Sequence, residues 1–310
     1  MTSPFIQAPG AVVMIRPHRF HPNPETASDN AFQRTDAKLS TKQIAKIAYN
    51  EVSAAASRLE SEGVRVHIFE DRGEKETPDS VFPNNWFSTH PGGHIAIYPM
   101  YSPSRRRERR YDIIEMLKAE YRVQDVIDYS SLEYDDLFLE GTGAMVLDHI
   151  ARVAYTSSSN RANPIPLERF CTHFNFEPMA FATVDEHGRS IYHTNVMMCV
   201  ATEFVMVGFD IIKDSARREE IRSRLAEMGR SVIELDHRQI GEFAGNAIEL
   251  STASGRILAI SERAATALTI EQKRMIENSA KIVELSVPTI ELAGGSIRCM
   301  LAGIHLARRS

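Results

Sequence analysis

Three side chains in this sequence have the types needed for covalent catalysis: Cys299 in GGSIRCM, His193 in YHTN and Glu140 in FLEG. A thiol must ionise before it attacks carbon. A nearby imidazole favours that ionisation and can later hand a proton to a leaving group, and a carboxylate beside it orients the proton traffic. Taken singly, each has a plain reading: a buried core thiol, a satisfied core histidine, a turn acid. Cys171 and Cys199 keep that plain reading as core thiols. Glu140, His193 and Cys299 differ because they fall in the second copy, in the third copy and just after the fifth copy of a repeat.

Phe82-Pro-Asn-Asn85, Phe138-Leu-Glu-Gly141, Tyr192-His-Thr-Asn195, Phe243-Ala-Gly-Asn246 and Leu292-Ala-Gly-Gly295 share a bulky apolar residue followed three positions later by Asn or Gly. Their starts lie 56, 54, 51 and 49 residues apart. Asn and Gly tolerate left-handed or tightly turned backbone, so each copy is expected to mark a turn at one point of its unit. Strand-like stretches follow, such as AMVLD at 144–148, VMMCV at 196–200 and AIEL at 247–250. A helix and then a strand come before, as at 45–59 followed by VRVHIF at 64–69. The same order is read at 111–121, 215–228 and 271–280. The segment 168–178 has no clean period, and Pro164 and Pro166 interrupt its front. Equivalent turns of a closed ring converge on its axis, so five such units would bring these distant residues to one cleft.

PDSVFPNNW (78–86), FLEGTG (138–143), YHTN (192–195), FAGN (243–246) and GGSIRCM (294–300) resemble, in order, the motifs of the amidinotransferase and arginine deiminase superfamily. The likeness extends from MIRPHRF near Arg16 to Cys299 and is most similar to the citrulline-utilisation hydrolase branch. It implies an α/β pentein propeller, five ββαβ units around a pseudo-fivefold axis, with residues 1–310 as a single catalytic domain. It also implies Cys299 as nucleophile, His193 as general acid/base and Glu140 as the carboxylate, acting on a guanidino or related carbon through a covalent S-linked intermediate. Asp79, Asn84, Asn85, Asn195, Asn246 and Arg16 form the expected substrate-binding set. The deiminases and dimethylarginine hydrolases end the first motif in an acid that clamps the guanidinium, and the deiminases carry a second acid two residues after the histidine. This chain has Asn85 and Asn195 there. An amide cannot pair with a buried cation, and leaving such a charge unpartnered typically costs about 3–5 kcal/mol. A neutral ureido group suits an amide better, since each can donate to and accept from the other. Citrulline is therefore the expected substrate, with ornithine, ammonia and carbon dioxide as products. Arginine deimination or dimethylarginine hydrolysis with Asp79 and Glu140 holding the cation, amidino transfer to an amine, and a non-catalytic binding scaffold are the competing readings.

With 43% hydrophobic residues in 310 and a net charge of −5, the composition is that of a globular chain without a basic field for nucleic acid or anionic membrane. No run of about 18 apolar residues occurs, and the first ten residues lack a basic stretch followed by an apolar one, so a cytoplasmic protein is expected. Three widely spaced cysteines fit that compartment. No CxxC or HExxH pattern suggests a metal, and no organic cofactor is implied. The expected partner is a small amino acid, with homo-oligomerisation left open. The loop RPHRFHPNPETASDN (16–30) is read as a candidate cover bringing Arg16 or Arg19 to a substrate carboxylate. RRRERR (105–110) reads as the solvated opening of a helix, and Trp86 as a candidate wall of the cleft.

Overall fold

The computed structural model describes residues 6–35 and 38–309. Its strands run in chain order as β1 (Ala11–Pro17), β2 (Arg65–Asp71), β3 (Phe87–His90), β4 (His94–Ile97), β5 (Asp125–Asp128), β6 (Met145–Asp148), β7 (Val153–Ser157), β8 (Glu177–Phe181), β9 (Met198–Val200), β10 (Phe204–Val207), β11 (Ser231–Glu234), β12 (Ile248–Thr252), β13 (Gly255–Ser261), β14 (Lys281–Leu285) and β15 (Ala302–Gly303). They form five three-stranded sheets, 3-4-5, 6-7-8, 9-10-11, 12-13-14 and 15-1-2. In each, the first two strands pair antiparallel and the third joins the second in parallel. A parallel neighbour requires a crossover, which the helix of each unit supplies. The fifth unit is split between the chain ends: Val12 pairs with Gly303 and Val13 with Ala302. Contacts of β6 with β9, β9 with β12, Ile297–Met300 with β13, β15 with β3, and Gly141–Ala144 with Pro83–Asn85 close the five units into a pentein ring.

Four of the five crossover helices begin where a side chain satisfies free N–H groups of the first turn, the exception being Tyr111–Glu120. Ser40 and Gln43 form a capping box at the start of Thr41–Ser61, and Thr269 and Gln272 do so at Ile270–Glu277. Ile44, Ala48, Val52, Ala55 and Leu59 line one face of the first helix and pack with Val12 and Met14 of β1. Truncating the fully buried Leu59 to Ala would cost about 2–5 kcal/mol. The third unit corrects the sequence reading, because a helix does span Pro164–Phe174. Asn163 caps it, and both prolines lie in its first turn, where a missing N–H breaks no intrahelical bond. RRRERR does not open one continuous helix either. Pro103–Arg106 is a separate turn, and the next helix starts at Tyr111. Among the described residues no helix is long and apolar enough to cross a membrane.

Candidate active site

The turns ahead of β3, β6, β9, β12 and β15 meet on one side of the ring. The expectation that their Asn and Gly residues serve the backbone holds only in part. Left-handed φ falls on Gly141, Phe243 and Gly294, not on Asn85, Asn195 or Asn246, which are present for their side chains. Cys299 lies in the single helical turn Ile297–Met300, His193 just before the 3-10 turn Thr194–Val196, and Glu140 just before Gly141–Ala144. All three are buried. Cys299 and His193 line one narrow cavity together with Asp79, Asn85, Arg105 and Arg161. Thr26 and Asn30, from the 16–30 loop, cover it. Its free volume is about 10 Å³, near the roughly 10–15 Å³ that one water requires. That space is too small for an amino acid.

Glu140 Oε2 lies 2.8 Å from His193 Nε2, and its Oε1 accepts from Tyr101 N at 3.0 Å. Burial opposes ionisation of Glu140, but Arg161, His193 and Arg105 together outweigh it and hold the carboxyl well below the usual range. Burial pushes His193 down to about 4; the bond and charge of Glu140 oppose the shift, and Arg161 and Arg105 add to it. The imidazole is therefore neutral at neutral pH. Since an ionised carboxylate only accepts, Nε2 carries the proton and Nδ1 is the free base. Gly143 leaves room at that nitrogen: a Cβ there would lie 2.8 Å from Nδ1 and 2.1 Å from the Asn85 amide.

The sulfur of Cys299 accepts from Asn195 Nδ2 at 3.2 Å and Asn246 Nδ2 at 3.3 Å. Asn246 is fixed in turn, since its Oδ1 accepts from Arg298 N at 3.0 Å and its Nδ2 also donates to Asn195 O at 3.0 Å. These amides offer an anionic sulfur the donors it needs. Asn195 Oδ1 and Asp79 Oδ1 are buried without a partner.

Arg105 stands among the acids. It bonds both oxygens of Glu108 at 3.0 Å and lies 3.5 Å from Glu140 Oε2 and 3.8 Å from Asp79 Oδ2. With the Asn85 amide oriented oxygen-first, Asn85 accepts from Arg105 Nη1 at 2.8 Å and Nη2 at 3.1 Å and donates to Asn84 Oδ1 at 3.2 Å. Burial raises Asp79, with Arg105 opposing. Burial likewise pushes Glu108 up to about 8, again against Arg105. Arg161, buried at 2% exposure, lies 3.6 Å from Glu140 and grips Asp29 of the covering loop through Nε at 2.9 Å and through Nη2.

Not every expected site residue is here. Asn84 sits behind Asn85, its carbonyl accepting from Thr142 Oγ1 at 3.1 Å. Arg16 lies away from the cavity, ion-paired to Glu70 and 4.8 Å over the Tyr49 ring, because β1 carries it to the outer side with β2. Trp86 is fully buried against Phe87 in the core rather than at the cavity wall. Arg105, read from sequence as a solvated residue, is 2% exposed. The pattern that could have revealed it is Glu108 three residues on, an acid able to follow an arginine into the interior. Arg161 lies in a polar loop and had no such signal. Among the described residues, no group of three or more His, Cys, Asp or Glu side chains is placed to hold a metal.

A family model described as N,N dimethylarginine dimethylhydrolase, eukaryotic, matches residues 16–306. No curated protein sequence matches the chain. Among solved structures, the N-terminal domain of ArgZ, an arginine dihydrolase from the ornithine–ammonia cycle in cyanobacteria, superposes with a TM-score of 0.75 at 16% identity over 96% of this chain and 98% of that one. Unliganded AgrE gives 0.75 at 17% identity, covering 97% of this chain and 40% of that one. An adduct of dimethylarginine dimethylaminohydrolase with S-methyl-L-thiocitrulline gives 0.63 at 12% identity over 96% and 99%.

Proposed function

The chain belongs to the N,N dimethylarginine dimethylhydrolase family, a family of pentein hydrolases, and from that premise we propose that it hydrolyses the ureido group of citrulline or a close relative, with Cys299 as nucleophile. The observation that carries this reading is Arg105. Glu140 and Asp79 already face two guanidinium groups that the protein supplies, Arg105 and Arg161, while Glu108, pushed up to about 8, is mostly protonated at neutral pH. A cationic substrate brought beside these guanidinium groups would meet like charge, an interaction of about 4 kcal/mol at 4 Å in an effective dielectric of 20. A neutral ureido group meets no such penalty. Its NH2 can donate to the unpartnered Asn195 Oδ1 and Asp79 Oδ1.

In the proposed sequence, His193 Nδ1 takes the Cys299 proton and the thiolate attacks the ureido carbon. The negative charge that develops on the ureido oxygen is met by amide or guanidinium N–H groups of the cavity; removing one such donor in a protease costs about 2.7–4 kcal/mol. His193 then returns its proton to the departing δ-nitrogen, and the C–N bond breaks to release ornithine. Water, activated through His193, attacks the S-carbamoyl carbon, and the resulting carbamate gives ammonia and carbon dioxide. Strands β1 and β15 draw both chain ends into one sheet, which supports treating the whole chain as one catalytic unit.

One observation favours a guanidino substrate instead. Asp79 Oδ1 is a buried carboxylate oxygen with no donor, and a guanidinium would supply one. The two readings separate by mass. Acid-quenched protein turning over citrulline should carry a carbamoyl group on Cys299, and Cys299→Ser should carry none. A thiouronium adduct on Cys299 that keeps the substrate's amino-acid chain, formed from arginine with loss of ammonia or from a methylated arginine with loss of its methylamine, with none from citrulline, would establish the second reading.

A further inference from the structure

We propose that a second cavity, between the 18–26 segment and the helix Thr41–Ser61, is a ligand site for a small polyanion bearing phosphate or carboxylate groups, acting on the catalytic cavity through Ser104. The cavity measures about 980 Å³ and is lined by the first part of the histidine-bearing loop, the helix Thr41–Ser61, the segment 73–78, and Ser104 and Arg107 on either side of Arg105. Arg19, Lys42, Lys46 and Arg107 converge on it. Glu25 and Glu76 also line it, but none of the four cations has a carboxylate within ion-pair distance among the described residues. Arg107 is held instead by carbonyls, donating to Lys75 O at 2.7 Å and Glu76 O at 2.9 Å, so its charge is positioned with no carboxylate in contact, and Glu25 feels it only at longer range. Gly73, at φ +78°, gives the stem of Arg19 a place to lie, since a Cβ there would meet that side chain at 2.5 Å. Tyr49, Ala45 and Pro78 give the cavity an apolar wall. Cations around such a wall suit a compact molecule with two or more anionic groups, each worth a charge-assisted bond.

The route to the catalytic side is short. Asn23 lines this second cavity, and its Nδ2 donates to Asp79 Oδ2 at 2.9 Å and Ser104 Oγ at 3.0 Å. Glu25 accepts from Ser104 N at 2.9 Å and Oγ at 2.7 Å. Ser104 immediately precedes Arg105, whose guanidinium faces Cys299's cavity. An anion that pulls on this wall shifts the segment that covers the site and the residue that seats Arg105, so its effect should appear as a change in KM.

Calorimetric titration of the intact protein with pyrophosphate, ATP and citrate separately tests the proposal. At least one is expected to bind at a single site. Its affinity should fall about tenfold or more in Lys42→Gln/Lys46→Gln, a loss of about 1.4 kcal/mol. Binding should persist in Cys299→Ser and in the presence of saturating citrulline, which places it outside the catalytic cavity. Binding by the phosphates alone, or by citrate alone, identifies which anion the site selects. No binding by any of the three at millimolar concentration, binding unchanged in the double variant, or displacement by citrulline would each overturn it.

Discussion

Buried histidines occupy both ends of the ring's axis, and only one end pairs its histidine with a carboxylate. At the end that holds Cys299, His193 is pushed down to about 4 by burial, against the pull of Glu140. On the other side, a cavity lined by residues from all five inner strands holds His90, His149 and His305. His305 is also pushed to about 4 by burial, and His90 and His149 go well below the usual histidine range for the same reason. A lowered imidazole pKa therefore does not identify the catalytic residue. His90 has Ser88 Oγ at 2.7 Å and Phe174 at 4.2 Å, His149 stacks on His305 at 4.0 Å, and Nδ1 of both His90 and His149 is unpartnered. None of these three has a carboxylate partner among the described residues. What distinguishes His193 is an ionised acid that fixes its tautomer, together with the arginines that keep that acid ionised.

The largest effect should come from the nucleophile. Cys299→Ser is expected to reduce ammonia release by roughly 10³-fold or more while the melting temperature stays within a few degrees of the parent's. Activity near the parent's level would remove Cys299 from the mechanism. Glu140→Gln should follow, with a loss of about 10²–10⁴-fold, because a neutral amide no longer dictates which nitrogen of His193 is protonated. Ser88→Ala, which takes away the partner of His90, should leave kcat within twofold. Equal losses in these two variants would erase the contrast between the two ends of the axis.

A smaller effect lies in the acid range. For His193 and His305 the folded pKa, about 4, is below the ordinary 6.5. The unfolded chain thus binds more protons between these values, and stability should fall as pH drops from 6.5 toward 4. His305→Asn should flatten that decline in a thermal melt without moving the acid limb of kcat/KM, which belongs to His193. If the acid limb of activity moves with His305, the two ends are coupled in a way the geometry does not provide. The smallest shift is expected from Asp29→Asn. Loss of the charged grip on Arg161 should ease opening of the covering loop and change KM by only a few-fold in steady-state assays.

The ring was legible because its signal recurs. Apolar periodicity, a stop and a bulky residue ahead of Asn or Gly return every 49 to 56 residues, so each copy corrects the ambiguity of the others. Copies two, three and five place Glu140, His193 and Cys299 at the helical turn just ahead of an inner strand, and that phase brings them to one side of the axis. Arg105 and Arg161 were not legible in the same way. A run of arginines reads as solvated because isolated burial of a guanidinium is so costly. Only the three-dimensional convergence of Asp79, Glu108 and Glu140 makes the interior tolerable for Arg105. Arg16 failed for a local reason: as the sixth residue of β1 it follows the strand to Glu70 on β2, away from the turns that meet near Cys299.

The most direct test of the central claim is kcat/KM of the purified protein for citrulline, arginine and dimethylarginine under one set of conditions, with the amine product identified. A cavity whose acids are already matched by Arg105 predicts ornithine from citrulline, with citrulline preferred over either cation by at least about a hundredfold, the factor that corresponds to about 2.8 kcal/mol. Preference for arginine or dimethylarginine, with citrulline as the product that accumulates, would contradict it and make Asp79 the residue that receives the guanidinium.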